Sequence, residues 1–96
     1  MTELTAKHFT PHVGKVFRVE GGRHALTLAE VQERRLEDFE AALREPFNLI
    51  FRGPPGDVLP EGLYRLGPED GPSFELYVIP VYTPARDRQN YQAPFN

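Results

Sequence analysis

The 96-residue chain contains no cysteine, which excludes a disulfide scaffold, a thiolate metal site and a thiol nucleophile. Its one serine, Ser73, follows Gly71-Pro72 and does not sit in the Gly-x-Ser-x-Gly turn that exposes a nucleophile. Basic residues are also scarce, because 11 lysines and arginines stand against 14 aspartates and glutamates, for a formal net charge of −3. This balance argues against the basic surfaces that bind nucleic acids or anionic membranes. The composition therefore predicts neither a nucleic acid nor a membrane as a partner.

Long apolar segments are absent as well. The longest, residues 76–82, spans seven residues and includes Pro80, whereas a membrane-spanning helix needs about 20 apolar residues. The first residues show no basic region followed by the apolar stretch of a secretory signal peptide. We therefore expect a protein that is made and kept in the cytoplasm, unless it leaves the cell as part of an extracellular or phage-derived assembly.

Proline and glycine, by contrast, are frequent, with 10 and 8 copies. They help to mark turns at short, regular intervals, which is typical of an all-β sandwich or barrel. A chain of this length makes one domain. We predict a single β domain over residues 1–96, a small antiparallel barrel or sandwich of about six strands. The strands are expected to follow one another as a meander, because parallel pairs would need long crossovers.

Alternation of apolar and polar residues predicts where the strands lie. Val13 and Val19 share the inward face of the first strand, and Gly21-Gly22 suits a two-residue hairpin turn after it. Val31 breaks the alternation of the second strand by one position, which predicts a β-bulge near Ala29. The predicted strands cover residues 13–20, about 24–32, 47–52, 63–66, 74–83 and 91–95.

The segment after the first hairpin turn has two interpretations. Thr27-Leu-Ala-Glu30 has the form of a helix capping box, and the apolar spacing that follows fits one long helix over residues 28–44. The alternative, which we favour, is a strand to about Gln32 and then a short helix within residues 35–44. It keeps a hairpin partner for the first strand. A further helical turn is expected around residues 5–9, ended by the proline that follows.

Motifs for metal, phosphate or acid–base chemistry are weak. His8 and His12 are four residues apart, but Pro11 between them disfavours the helix that would align them. His24 stands alone beside the glycine turn. The glycine-rich residues 52–56 lack the Lys-Ser/Thr of a phosphate loop, and their two prolines have no N–H groups to offer. We predict no catalytic residue, no metal ligand and no cofactor site, and expect a protein that is not an enzyme.

The most unusual feature is a strand with two apolar faces. Residues 76–82 are apolar on both sides, whereas a strand with one solvated face alternates with polar residues. Either the second face is covered internally, by residues 36–43 or by the N-terminal turn, or it is exposed for a partner. The second interpretation predicts a docking surface. Its residues are Tyr77, Ile79 and Val81, with Val16 and Ile50 flanking them.

These features favour a non-enzymatic interaction module, with a structural or assembly-accessory role, that docks on a protein partner or on a second copy of itself. Tyrosine at the docking surface suits this, since it is enriched in protein interfaces. The alternative is a small-ligand-binding β-barrel with a cavity lined by Phe47, Phe51, Tyr64 and Phe74. Six short strands leave little room for a cavity, because even eight-stranded barrels are often filled by side chains.

Several motifs together resemble a known family. They include Phe-Arg-Gly-Pro at residues 51–54, Leu-Pro-x-Gly-x-Tyr-Arg-Leu at 59–66 and Tyr-x-Ala-x-Phe-Asn at 91–96. The sequence is similar, over nearly its whole length, to short bacterial domains of unknown function. These domains are often encoded beside tail-fibre-like proteins of the phage tail-collar, or microcystin-dependent, type. The resemblance implies a strand after the glycine turn and, by analogy, a fibre-like or tail-like protein as the partner. The family has no agreed catalytic residues to transfer.

Overall fold

The computed structural model describes residues 4–33 and 46–95. The strands in this part of the chain are β1 (Val16–Val19), β2 (Ala25–Glu33), β3 (Phe47–Gly53), β4 (Gly62–Pro68), β5 (Phe74–Pro80) and β6 (Gln89–Phe95). They form a closed antiparallel barrel in the order β1-β2-β3-β6-β5-β4, which confirms the predicted all-β barrel. The helix predicted within residues 35–44 lies outside the described residues.

The strand order differs from a simple meander at one connection. β1-β2-β3 and β4-β5-β6 are each meanders, but β3 pairs with β6, and β4 pairs with β1. The connection from β3 to β4 begins with Pro54 and Pro55, which end the β3 ladder because they carry no N–H. The chain then crosses the end of the barrel and buries Leu59 on the way. A connection that covers the core is what sets the two meanders side by side.

β1 is shorter than the sequence predicts. It begins at Val16 and not at residue 13. Val13 instead follows a 3-10 turn, Thr10–His12, and donates its N–H to the Thr10 carbonyl, 3.3 Å away. Its side chain is 45% exposed, so the prediction that it faces the core together with Val19 is wrong.

The loop between β1 and β2 is longer than predicted. Residues 20–24 separate the strands, and the Val19 N–H donates to the His24 carbonyl at 3.0 Å. Gly21 has a φ of +78°, which a residue with a side chain rarely adopts. Gly22 has no positive φ. In a two-residue turn, Gly21-Gly22 alone would connect the paired strands, whereas here the loop spans residues 20–24. The predicted two-residue turn is therefore wrong.

β2 decides between the two interpretations of residues 28–44. The strand continues to Glu33, and Thr27 pairs with β3 and does not cap a helix. The long helix beginning at residue 28 is therefore wrong. The register of β2 against β3 shifts just after Leu28, which confirms the predicted bulge near Ala29.

Phe9 closes one end of the barrel. It follows a further 3-10 turn, Ala6–His8, that confirms the turn expected in this region. Phe9 is fully buried, and its ring centroid lies 4.6 Å from that of Phe74 and 5.8 Å from those of Phe47 and Phe95. Aromatic rings at these distances attract each other beyond the effect of burial alone. The N-terminal turns are thus part of the core.

The connection between β3 and β4 closes the other end. The N–H of Leu59 donates to the phenolic oxygen of Tyr91 at 2.9 Å, and burial raises the pKa of Tyr91 above its ordinary value. The carboxylate of Asp57 accepts two hydrogen bonds from Arg23 of the β1–β2 loop, from Nε at 3.1 Å and Nη2 at 2.9 Å. The connection is therefore fixed both to β6 and to the first hairpin.

Inward side chains from all six strands fill the space between these two ends. The alternation predicted for β2 and β3 is confirmed, since their inward residues are buried. The buried strand residues are Phe17, Val19, Leu26, Leu28, Phe47, Leu49, Phe51, Leu66, Phe74, Leu76, Val78, Tyr91 and Ala93.

In the described residues no helix is long and apolar enough to cross a membrane.

Candidate functional site

The outer surface of β4 and β5 carries large apolar side chains next to each other. Leu63 of β4 pairs directly with Tyr77 of β5, and the two residues are 60% and 47% exposed. Leu76 and Val78, the neighbours of Tyr77 in sequence, are buried. Tyr77 therefore points away from the interior, as predicted from the sequence. Leu63, Tyr77 and Ile79 are called the β4–β5 face below.

An uncharged row continues this face across two more strands. Ile79 pairs with Gln92 of β6, and Gln92 pairs in turn with Ile50 of β3. Ile50 and Ile79 are half-buried and lie two strand spacings apart, about 10 Å. The structure thus brings together Tyr77, Ile79 and Ile50 from the predicted docking surface.

The other two predicted residues lie differently. Val81 is half-buried just beyond β5, where its N–H donates to the Asn90 carbonyl at 3.1 Å. Val16 is 45% exposed on β1 and borders a surface groove with Pro68 of β4. Leu63 and Pro68 are five positions apart along β4, about 17 Å. Val16 is therefore not continuous with the β4–β5 face.

A hydrogen bond holds Tyr77 in place on the surface. Its hydroxyl donates to the carboxylate of Glu61, which immediately precedes β4 and comes close to Tyr77 through the pairing of Leu63. This hydrogen bond to a carboxylate raises the pKa of Tyr77 above its ordinary value. The ring is oriented from one side and stays accessible to solvent from the other.

Charged residues border the β4–β5 face and do not interrupt it. Arg65 and Glu75 form the next outward pair along β4 and β5, and both are exposed. Arg65 also lies 3.6 Å from Glu20, at the end of β1. Glu61 stands at the other end of the face. An apolar centre with a charged border is the composition of protein–protein interfaces, whose centres are depleted of charge.

Leu63 and Tyr82 are exposed apolar residues that the sequence-based prediction does not include. For Leu63 a signal was present, since alternation in residues 63–66 places Tyr64 and Leu66 on one face and Leu63 on the other. Tyr82 is 91% exposed in the loop after β5. The strand predicted over residues 74–83 includes Tyr82, and this is wrong, because β5 ends at Pro80.

The histidines of the described residues serve local structure. The ring of His8 accepts the Thr5 N–H at Nδ1, 3.0 Å away, and caps the first turn. His12 packs its ring against two core phenylalanines. His24 has Nε2 at 3.5 Å from an Asp57 carboxylate oxygen. Within residues 4–33 and 46–95, no group of three histidine, aspartate or glutamate side chains is placed to hold a metal ion.

The aromatic residues proposed to line a ligand cavity are packed into the core or fixed at its end. Phe47, Phe51 and Phe74 are buried, and Phe51 meets Phe17 in a T-shaped contact at 5.3 Å. The half-buried Tyr64 donates its hydroxyl to a carbonyl of the β3–β4 connection at 2.6 Å. A groove of about 350 Å³ that Phe47 borders lies where β2 and β6 end and β3 begins. The three phenylalanine rings therefore occupy the barrel interior, and Tyr64 lies at its end.

Comparisons with known proteins support the part of the family resemblance that concerns domains of unknown function. The model of a family described as a domain of unknown function, DUF6916, matches residues 4–95. No curated protein and no solved structure matches the chain. The family match confirms the similarity to domains of unknown function, and nothing in it links the family to tail-collar proteins. Because the match extends over almost the whole chain, the protein belongs to the DUF6916 family.

Proposed function

We propose that the protein is a non-enzymatic interaction module that docks on a protein partner through the β4–β5 face. One observation carries the proposal: Leu63 and Tyr77, side by side on neighbouring strands, are 60% and 47% exposed. Exposure of two neighbouring large apolar side chains costs solvation free energy in the isolated protein. Contact with a partner recovers it.

Burial of apolar surface is the term that would favour such a complex. Burying about 500 Å² of apolar surface contributes about 12 kcal/mol, from which the costs of association are then subtracted. Ile79 and Ile50, joined through Gln92, extend the face toward such an area. Tyr77 is already oriented by Glu61, so less side-chain entropy is lost when a partner binds.

A finer part of the proposal concerns the partner. We propose a fibre-like or tail-like protein, for which the protein would serve as a structural or assembly component. The support is the similarity of motifs such as Phe-Arg-Gly-Pro at residues 51–54 to domains encoded beside such proteins.

The test is co-purification with a fibre-like protein encoded beside the gene, using variants of the β4–β5 face. Ile79→Asp and Leu63→Asp each place a negative charge at the centre of the contact. The bound protein would remove water from this carboxylate without supplying an opposite charge. We expect both variants to fold as the wild type does and to lose the partner. Val13→Asp is the matched control, because Val13 is 45% exposed outside the face. It should retain the partner.

Circular dichroism and thermal unfolding of each variant separate a folding defect from lost binding. Should Ile79→Asp not fold, Ile79 belongs to the core, and the more exposed Leu63→Asp decides the question. Retention of the partner by a folded Leu63→Asp variant would contradict the proposed face. Failure of the wild type to bind any fibre-like protein would contradict the proposed partner.

A further inference from the structure

The loop between β5 and β6 presents a tyrosine almost entirely to solvent. Tyr82 is 91% exposed, which exceeds the exposure of the other exposed large apolar residues of the described chain. It follows β5 by two positions and therefore stands at the end of the strand that carries Tyr77 and Ile79. An aromatic side chain buries 150–250 Å² when a partner covers it, as a general magnitude.

The backbone on either side of Tyr82 is held by hydrogen bonds. The N–H of Val81 donates to the Asn90 carbonyl at 3.1 Å, and the Gln89 side-chain amide donates to the Val81 carbonyl at 2.9 Å. The hydroxyl of Thr83 donates to the Val81 carbonyl and accepts the Asn90 N–H, both at 2.9 Å. Both neighbours of Tyr82 are thus fixed to the start of β6, while its own ring stays in solvent.

We propose that Tyr82 is a binding anchor that inserts into an apolar pocket of the protein partner. This inference rests on the proposed function and extends its surface from the β4–β5 face onto the adjoining loop. Tyrosine is among the residues that carry most of the binding energy in protein interfaces. A ring presented on a fixed backbone loses little conformational entropy on binding, since only its own rotamers become restricted.

The charges of the loop indicate what surrounds the pocket. Residues 81–90 contain Arg86, Asp87 and Arg88, so this loop is basic although the whole chain carries a net charge of −3. Arg88 pairs with Asp87 at 3.2 Å, while Arg86 is exposed beside them. The partner chemistry that fits is therefore a protein pocket with apolar walls, an acidic rim and a polar group within reach of the tyrosine hydroxyl.

The experiment uses the isolated fibre-like protein of the proposed function, titrated by calorimetry with each variant. Tyr82→Ala should fold normally and bind at least about 30-fold more weakly, the loss typical of an anchor residue. Tyr82→Phe keeps the ring and should lose less affinity than Tyr82→Ala. Val13→Ala is the control and should bind as the wild type does. Val13 precedes β1, which runs in the same direction as β5, so it lies at the opposite end of the barrel from Tyr82.

Thr83 is a positioning residue in this account. Thr83→Val removes the hydroxyl that holds Val81 and Asn90, so we expect weaker binding than wild type with the tyrosine still present. Hydrogen exchange provides a readout that lost contact area would not move. In the free Thr83→Val variant, the Asn90 amide should exchange faster than in the wild type, and in free Tyr82→Ala it should not.

One result separates this inference from the proposed function. If the folded Leu63→Asp variant loses the partner while Tyr82→Ala binds within about threefold of the wild type, the anchor role is overturned and the β4–β5 face stands. If no partner binds the wild-type chain, both fall together. A loss on Tyr82→Ala that Val13→Ala reproduces would also overturn the anchor, because the effect would then not be specific to the loop.

Discussion

Gly67 shows, at the scale of a single residue, how closely two backbones approach in the barrel wall. It lies in β4 opposite Arg18 of β1 and is buried. A Cβ at this position would stand 2.8 Å from the Cα of Ser73 and would overlap the carbonyl oxygen of Pro72. Both obstacles are backbone atoms, which cannot rotate away. The chain before β5 can therefore return beside β4 only because residue 67 has no side chain.

We expect Gly67→Ala to lower the free energy of unfolding by about 3 kcal/mol, because the added methyl group forces the backbone apart. Urea denaturation measures this. Gly22→Ala is the matched control, since its nearest atom would be a Val19 methyl at an ordinary 3.9 Å and its φ is not positive. Equal stabilities of the two variants would contradict the close approach at Gly67.

Tyr91 stabilises one end of the barrel through a hydrogen bond to its phenolic oxygen. Its hydroxyl accepts the buried N–H of Leu59 at 2.9 Å, so Tyr91→Phe should leave that N–H without a partner. The expected cost is about 1–3 kcal/mol of unfolding free energy, measured by urea denaturation. Tyr64→Phe serves as the control, because Tyr64 donates to a carbonyl of an exposed residue that water can satisfy instead. A loss for Tyr64→Phe as large as that for Tyr91→Phe would contradict the role given to Tyr91.

At the scale of the elements, the connections do as much as the strands to close the barrel. The β3–β4 connection crosses one end and is held by Asp57 and Leu59. The N-terminal 3-10 turns place Phe9 in the other end. Six short strands form a small interior, and these two plugs, together with the inward aromatic rings, leave it filled. The proposed docking surface accordingly lies on the outside of the barrel.

The ion pair between Asp57 and Arg23 predicts a pH dependence of stability. The hydrogen bonds from Arg23 hold the pKa of the Asp57 carboxyl below its ordinary value of 3.8. The unfolded chain therefore takes up the proton first, and the stabilisation is complete above about pH 3.8 and lost as pH falls through the lower folded-state pKa.

Urea denaturation of the wild type and of Asp57→Asn at neutral and acidic pH tests this linkage. The stability difference between them should shrink as the pH falls below 3.8. Arg23→Met should show the same loss at neutral pH and less dependence on acid. A difference that stays constant from neutral to acidic pH would show that the ion pair does not contribute through the carboxylate.

At the scale of the whole molecule, the sequence predicts the elements better than their arrangement. Alternating residues such as Leu26 and Leu28 identify strands and inward faces, because one buried side of a sheet imposes a period of two. The pairing of β3 with β6 depends on contacts between residues that are far apart in the sequence, and a local sequence pattern does not reveal these. The burial of Phe9 is likewise not predictable from the sequence, because the residue lies in a turn, where alternation does not apply.

The predicted docking surface likewise agrees with the structure only in part. Tyr77 and Ile79 are predictable because the strand is apolar on both faces, and Tyr77 is indeed exposed. The sequence also places Val16 in this surface, because alternation makes it an outward apolar residue. On a closed barrel, outward residues face all directions, and Val16 lies on β1, beyond β4 from Tyr77. Alternation in residues 63–66 places Leu63 on the outward face, but only the strand pairing shows that it lies beside Tyr77.

The most direct test of the proposed interaction is hydroxyl-radical footprinting of the protein alone and in complex with its isolated partner. The account predicts that binding protects Leu63, Tyr77 and Ile79 from oxidation and leaves Val13 and Val16 as reactive as in the free protein. Protection of Val13 or Val16 with the β4–β5 face still reactive would contradict it, because the partner would then bind another side of the barrel.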